Sequence, residues 1–250
     1  MCSLDCCIFM PRMFKSGKKN MKKIRENRID LQKKLDKGKK MIQVKDLTKE
    51  QIDEICREIG DSFYDHDYGA REKGITKFIE DREMMFRYMR ACFVASLKSG
   101  TVYSTGERGE GYIVLSGTKC DKVKISAALG MIVDVVKALG GIKEAYTFMK
   151  EMKKGGISYE DKLKKETKDY LQVFMLVVRK EYQGQGYMRK LMEFAYEKAD
   201  QYRVPCILDT DAKNKLEKYC HLGMEHVATR KIAADCFLYD LCRPAKEEKE

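Results

Sequence analysis

The chain has 250 residues, 44% hydrophobic and 36% charged, which suffices for one ordinary domain with an extension or for two small domains. Its net charge of +11 argues against a nucleic-acid-binding body, because residues 1–40 carry +9 of it and the rest only +2. Ten cysteines without a single C-x-x-C pair speak against a zinc site set by spacing, and several lie in apolar stretches, a pattern that suits a reducing cytoplasm.

Residues 1–40 read as a basic extension, helical or disordered, able to make weak nucleic-acid or anionic-surface contacts. Its apolar patch, Cys6 to Met10, is too short for a secretory signal and is followed rather than preceded by charge. Cys6-Cys7 could carry an acyl chain, but Cys2 stands where myristoylation requires glycine, and Met41 is an alternative start. No stretch reaches the roughly 20 apolar residues that a bilayer-spanning helix needs.

A folded body, residues 41–245, is expected to begin with a short strand at Met41–Val44. Thr48 and Gln51 then form a capping box for a helix running to about Ile59. The stretch from Phe63 to Gly74 has no period and reads as a loop, followed by a helix from about Thr76 to Leu97. Strands near Thr101–Thr105 and Tyr112–Ser116 form a hairpin around Gly106 and Gly109. Residues 122–165 are helical, broken at Gly140-Gly141 and Gly155-Gly156.

The run LQVFMLVV, Leu171–Val178, predicts a strand buried on both faces. Met188, Leu191, Met192, Ala195, Tyr196 and Ala199 mark one apolar face of the helix after it. Between them lies Glu181-Tyr182-Gln183-Gly184-Gln185-Gly186, a glycine turn that aims backbone N–H groups and a helix dipole at one point. That suits a phosphate or pyrophosphate. Arg189 breaks the dinucleotide fingerprint, and the P-loop pattern is missing from the sequence. A strand at Pro205–Asp209, a helix from about Ala212 to Leu222 capped at Gly223, and strands at Glu225–Lys231 and Ala234–Leu241 complete the body.

The segment from Val178 through Gly186 resembles the acetyl-CoA-binding motif of GNAT-type N-acetyltransferases. Gln183, Gly184 and Gly186 match that motif, while Met188 stands where the family prefers Gly or Ala. Asn214, Tyr219 and Gly223 follow in the order of the family's next motif. The resemblance implies the GNAT fold: an α/β (α+β) domain whose central, mixed, mostly antiparallel sheet carries helices on both faces. Residues 122–165 are then a helical insertion.

By the same resemblance, acetyl-CoA is the co-substrate and no metal is required. Gln183, Gly184, Gln185, Gly186, Tyr187 and Met188 would hold the CoA pyrophosphate, Asn214 would contact CoA, and the Val178 backbone N–H would serve the thioester carbonyl. Tyr219 would be the catalytic proton donor to the departing thiolate; an ordinary packing tyrosine is the competing reading. The acceptor is a small-molecule or peptide amine, and no residue stands out as its general base. Asp65, His66 and Asp67 form a polar cluster that reads first as a solvated loop, with the family's acceptor pocket as the competing reading, and His221 and His226 read as structural. Glu181 is expected to be exposed, and Cys220 is not expected to be a nucleophile. The expectation is therefore a cytoplasmic N-acetyltransferase; the alternative is a catalytically silent, acyl-CoA-binding module with a basic attachment arm.

Overall fold

The computed structural model describes residues 41–69 and 72–246, so the expected basic extension lies outside the described residues. Seven strands form one sheet: β1 (Ile42–Gln43), β2 (Val102–Ser104), β3 (Gly111–Gly117), β4 (Leu171–Val178), β5 (Cys206–Thr210), β6 (Glu225–Ala233) and β7 (Cys236–Arg243). Their order is β1-β2-β3-β4-β5-β7-β6, and every neighbouring pair is antiparallel except β4 and β5. That one parallel pair follows from the helical crossover α6 (Tyr187–Gln201) between its strands.

Thr48 and Gln51 do form the capping box of α1 (Lys49–Tyr64), with Gln51 N–H donating to Thr48 Oγ1 at 3.3 Å. The helix runs past its expected end at Ile59 to Tyr64. At that point Gly60 lets two helices touch: a Cβ there would meet Phe86 Cα of α2 (Arg82–Ser99) at 3.1 Å. Helix α2 begins later than the expected Thr76, because Asp81 caps it by accepting from Met84 N–H at 2.7 Å.

Strand β4 departs from the expectation of a run buried on both faces. Its register against β3 slips where Val114 faces Met175 and Leu115 faces Val173, leaving Phe174 as the extra residue of a β-bulge. The bulge reverses the strand's facing. Leu171 and Val173 pack with Leu191, Met192 and Ala195 of α6, whereas Met175 and Val177 pack with Ile59, Met89 and Phe93 on the α1/α2 side. Phe174 itself stays 41% exposed.

The insertion between β3 and β4 is three helices, α3 (Ile125–Ala138), α4 (Ile142–Lys153) and α5 (Tyr159–Lys165). Helix α3 packs on α2. Phe148 of α4 meets Phe78 and Tyr88 edge-on, with ring centroids 6.3 and 5.8 Å away. Leu163 of α5 buries against Tyr170, Ile207 and Cys242. The last helix, α7 (Lys213–His221), follows β5 directly.

Candidate active site

Strands β4 and β5 pair only at Leu171–Cys206 and Gln172–Ile207. Beyond those two rungs they diverge, and the gap becomes a cavity of about 720 Å³. The C-terminal half of β4, the end of β5, the glycine turn, α7 and the loop after α1 supply its walls. Because the bulge bends β4 at Phe174, the strand leaves its parallel neighbour just where the ladder stops.

The open edge of β4 offers backbone donors. Arg179 N–H is spent on Glu110 O at 3.0 Å, on the β3 side. Successive N–H groups alternate in direction along a strand, so those of Val178 and Leu176 face the gap. Val178 was anticipated from the sequence. Leu176 was not, because side-chain identity carries no trace of which backbone edge a sheet leaves open.

Past Val178 a single turn of 3₁₀ helix, Lys180–Tyr182, leads into the glycine turn. Gln183 folds back, its Nε2 donating to Val178 O at 3.1 Å. Gly184 and Gly186 have φ of 76° and 84°, in the left-handed region that favours glycine, and a Cβ at either would meet nothing within 4 Å. The turn therefore exposes backbone towards open space. Helix α6 starts at Tyr187 without a side-chain cap, so the N–H groups of its first turn have no partner within the helix. Gln183, Gly184, Gly186, Tyr187 and Met188 all line the cavity. Gln185 turns away, donating to Glu181 O at 3.0 Å. Met188 is accommodated because part of its side chain packs on the core beneath α6. Glu181 is exposed, as expected, and sits 3.4 Å from Arg179.

Tyr219 lines the same cavity from α7 and is 8% exposed. Burial, reinforced by the nearby Asp211 charge, pushes its phenol above the ordinary tyrosine value, so the O–H keeps its proton at neutral pH.

Asn214 does not line the cavity. Its Oδ1 lies 3.0 Å from His66 Nε2 and its Nδ2 donates to Asp67 O at 2.8 Å, so both ends of the amide hold the loop after α1. Of the Asp65-His66-Asp67 cluster, only His66 reaches the cavity wall. Asp65 is taken by Arg82 at 3.1 Å, and Asp67 accepts from Gly69 N–H at 2.8 Å. Burial and the Lys215 charge lower the His66 pKa, which keeps the ring neutral at pH 7. His221, His226 and Cys220 stand outside the cavity lining.

Two carboxylates escaped the sequence reading, although the run CILDTDA ends an apolar strand on both of them. Asp211 accepts from the Tyr68 hydroxyl at 2.7 Å and from Ile75 N–H at 2.9 Å, with Lys215 Nζ 3.4 Å away. Burial alone would raise its carboxyl, but Lys215 and these hydrogen bonds outweigh burial and hold it below the ordinary value. Asp209 opens onto the main cavity and onto a second, adjoining one of about 220 Å³. Its carboxyl is raised by desolvation, against the pull of Arg230 at 2.9 Å. Arg230 in turn forms a bidentate pair with the buried Asp240.

A mixed sheet splayed at its one parallel pair, with a glycine turn and a helix start closing the gap, defines the GNAT fold of acyltransferases. Residues 151–222 match the acetyltransferase (GNAT) family, and the match spans the splayed strand, the turn, α6, β5 and α7. Over that stretch the domain is similar to the family, and its fold is theirs. Among solved structures the chain is similar to the polyamine N-acetyltransferase of Drosophila melanogaster, at 12% identity and TM-score 0.51, covering 82% of this chain and 99% of that one. It is also similar to an agmatine N-acetyltransferase mutant, at 13% identity and TM-score 0.50, covering 82% of this chain and 98% of that one. The C-terminal condensation domain of Ebony gives 8% identity and TM-score 0.50, covering 82% and 99%. At these identities the likeness speaks to the fold. No curated protein matches the chain by sequence.

Proposed function

We propose that this chain transfers an acetyl group from acetyl-CoA to a primary amine by direct attack within a ternary complex. The observation that carries this reading is one cavity that joins the edge of β4, the glycine turn and the Tyr219 side chain. An extended pantetheine arm fits against an unpaired strand edge, and a pyrophosphate fits the glycine turn and the dipole of α6. The amine nitrogen attacks the thioester carbon, the C–S bond breaks, and the sulfur takes a proton from Tyr219. The attacking nitrogen loses one proton in exchange. Neutral His66, in the same wall, is the group we assign to accept it. The β4 N–H groups of Val178 and Leu176 face the gap and would stabilise negative charge on the carbonyl oxygen.

The structural relatives named for polyamine and agmatine acetylation guide the choice of acceptors to test. The test is release of free CoA thiol from acetyl-CoA across polyamines, amino acids, aminoglycosides and lysine peptides. Thiol release that saturates with one amine class supports the reading. Saturable CoA binding without release for any amine would instead favour a silent, acyl-CoA-binding module.

A further inference from the structure

The two long helices of the insertion bury one face and leave the other bare. On α3, Ala127 is buried and Met131 and Val135 pack towards the core, while Ile125, Leu129, Ile132 and Val133 are 81%, 61%, 57% and 51% exposed. On α4, Ala145 and Phe148 are buried, while Ile142, Tyr146 and Met149 are 81%, 69% and 50% exposed. Seven large apolar side chains at least half exposed, each set on one face of its helix, mark an interaction surface rather than scattered exposure.

Charge along these helices is segregated. Taking about 100° per residue, Lys153 of α4 falls near the centre of the Ile142–Tyr146–Met149 stripe, Lys150 about 70° and Lys143 about 90° from it, whereas Glu144 and Glu151 fall on the opposite side. On α3 the two charged residues divide in the same sense, with Lys137 nearer the apolar stripe and Asp134 turned further from it. Between Lys122 and Ile157 seven lysines face three acids, and residues 1–40 of the same chain add +9. A second copy meeting this face through its own α4 would bring no α4 carboxylate to the lysines beside the stripe, because Glu144 and Glu151 point away from it. A surface that is apolar within and negative throughout meets both demands.

Among the described residues no single helix is long and apolar enough to cross a membrane, and α3 and α4 are bent by 102° at their junction. With 14 and 12 residues, each falls short of the roughly 20 that a span requires. Helices too short to span, each with an exposed apolar face, suit an interfacial position.

We infer that the outer faces of α3 and α4 dock this protein onto an anionic lipid surface. The apolar stripes enter the boundary between headgroups and acyl chains, and the flanking lysines contact negative headgroups. Met152, on the inner side of α4, lines the cavity, so docking sets the cavity beside the surface.

The test is flotation of the full chain with vesicles of phosphatidylcholine alone and of phosphatidylcholine containing phosphatidylserine. The serine-containing vesicles should carry the protein up, and the double variant Leu129→Glu/Ile132→Glu should lose about tenfold or more in partitioning. Lys150→Ala should lose about fivefold on the anionic vesicles and little on the neutral ones. Circular dichroism and CoA binding in solution should be those of the wild type in all variants. Equal flotation of wild type and the double variant would overturn the inference, since the basic arm alone would then account for binding. A wild-type dimer in light scattering that the double variant dissolves would overturn it too, in favour of a second copy.

Discussion

Asn214 and His66, 148 positions apart in sequence, meet at 3.0 Å between Oδ1 and Nε2. The contact ties the start of α7 to the loop after α1 and orients the one histidine in the cavity wall. Because the other end of the amide donates to Asp67 O, Asn214 works as a brace between the two walls. Asn214→Ala should cost about 1 kcal/mol of stability. It should also raise the amine KM several-fold while the CoA Kd moves less than about twofold. Steady-state kinetics and calorimetric CoA titration measure both. A large loss of CoA affinity would return Asn214 to the cofactor contact that the sequence suggested.

Tyr219→Phe removes the proton donor and leaves the ring packed. We expect kcat to fall by about 10- to 100-fold with KM nearly constant. Since burial pushes the phenol above its ordinary value, the alkaline limb of the wild-type kcat profile should not fall through that ordinary value. An unchanged kcat in the variant would make Tyr219 a packing residue.

Asp211→Asn breaks a carboxylate held by Tyr68, Ile75 N–H and Lys215, and should cost about 2–4 kcal/mol at pH 7. The sign of its pH dependence follows from the direction of its shift. A carboxyl held below its ordinary value of 3.8 contributes stability that is full above that value and is lost as pH falls through the folded one. Denaturant unfolding should therefore show wild type and variant far apart at neutral pH and converging in acid below about pH 4. A difference that stayed constant with pH would mean that Asp211 acts through shape alone.

Gly155 lies where the insertion crosses β6. A Cβ there would meet Ile232 Cδ1 at 2.7 Å, Arg230 Cβ at 2.9 Å and Arg230 backbone carbon at 3.2 Å. Gly155→Val should lose about 1–3 kcal/mol by overpacking. It should also disturb the Arg230–Asp209 pair beside the cavity, seen as altered amine selectivity with CoA binding retained. Wild-type stability and selectivity in Gly155→Val would show that the insertion shifts freely at this point.

Much of this was legible in the residues. Thr48 and Gln51 announced α1, the double glycines announced the breaks in the insertion, and Gly223 announced the end of α7, because caps and turns are written in local chemistry. Gln183, Gly184, Gly186 and Tyr219, singled out from local motifs, line one cavity. The bulge at Phe174 was not legible, since LQVFMLVV reads as an unbroken strand and only its pairing with β3 reveals the slip. Asp209 and Asp211 were missed because their importance depends on Arg230, Tyr68 and Ile75, all distant in sequence. Asn214 was expected to contact CoA; that it instead holds His66 and Asp67 was not legible, because those partners lie in a loop without periodicity.

The central claim is that the turn at Gly184–Gly186 holds the CoA pyrophosphate, and calorimetric titration of CoA into wild type and Gly186→Glu tests it most directly. Gly186→Ala serves as a control for the strain of a Cβ at φ 84°. We predict saturable binding to wild type, a modest loss for Gly186→Ala, and a loss of about 100-fold for Gly186→Glu in a folded protein, because a carboxylate would then stand where the phosphates go. Wild-type affinity in Gly186→Glu would contradict the account and place the CoA phosphates elsewhere.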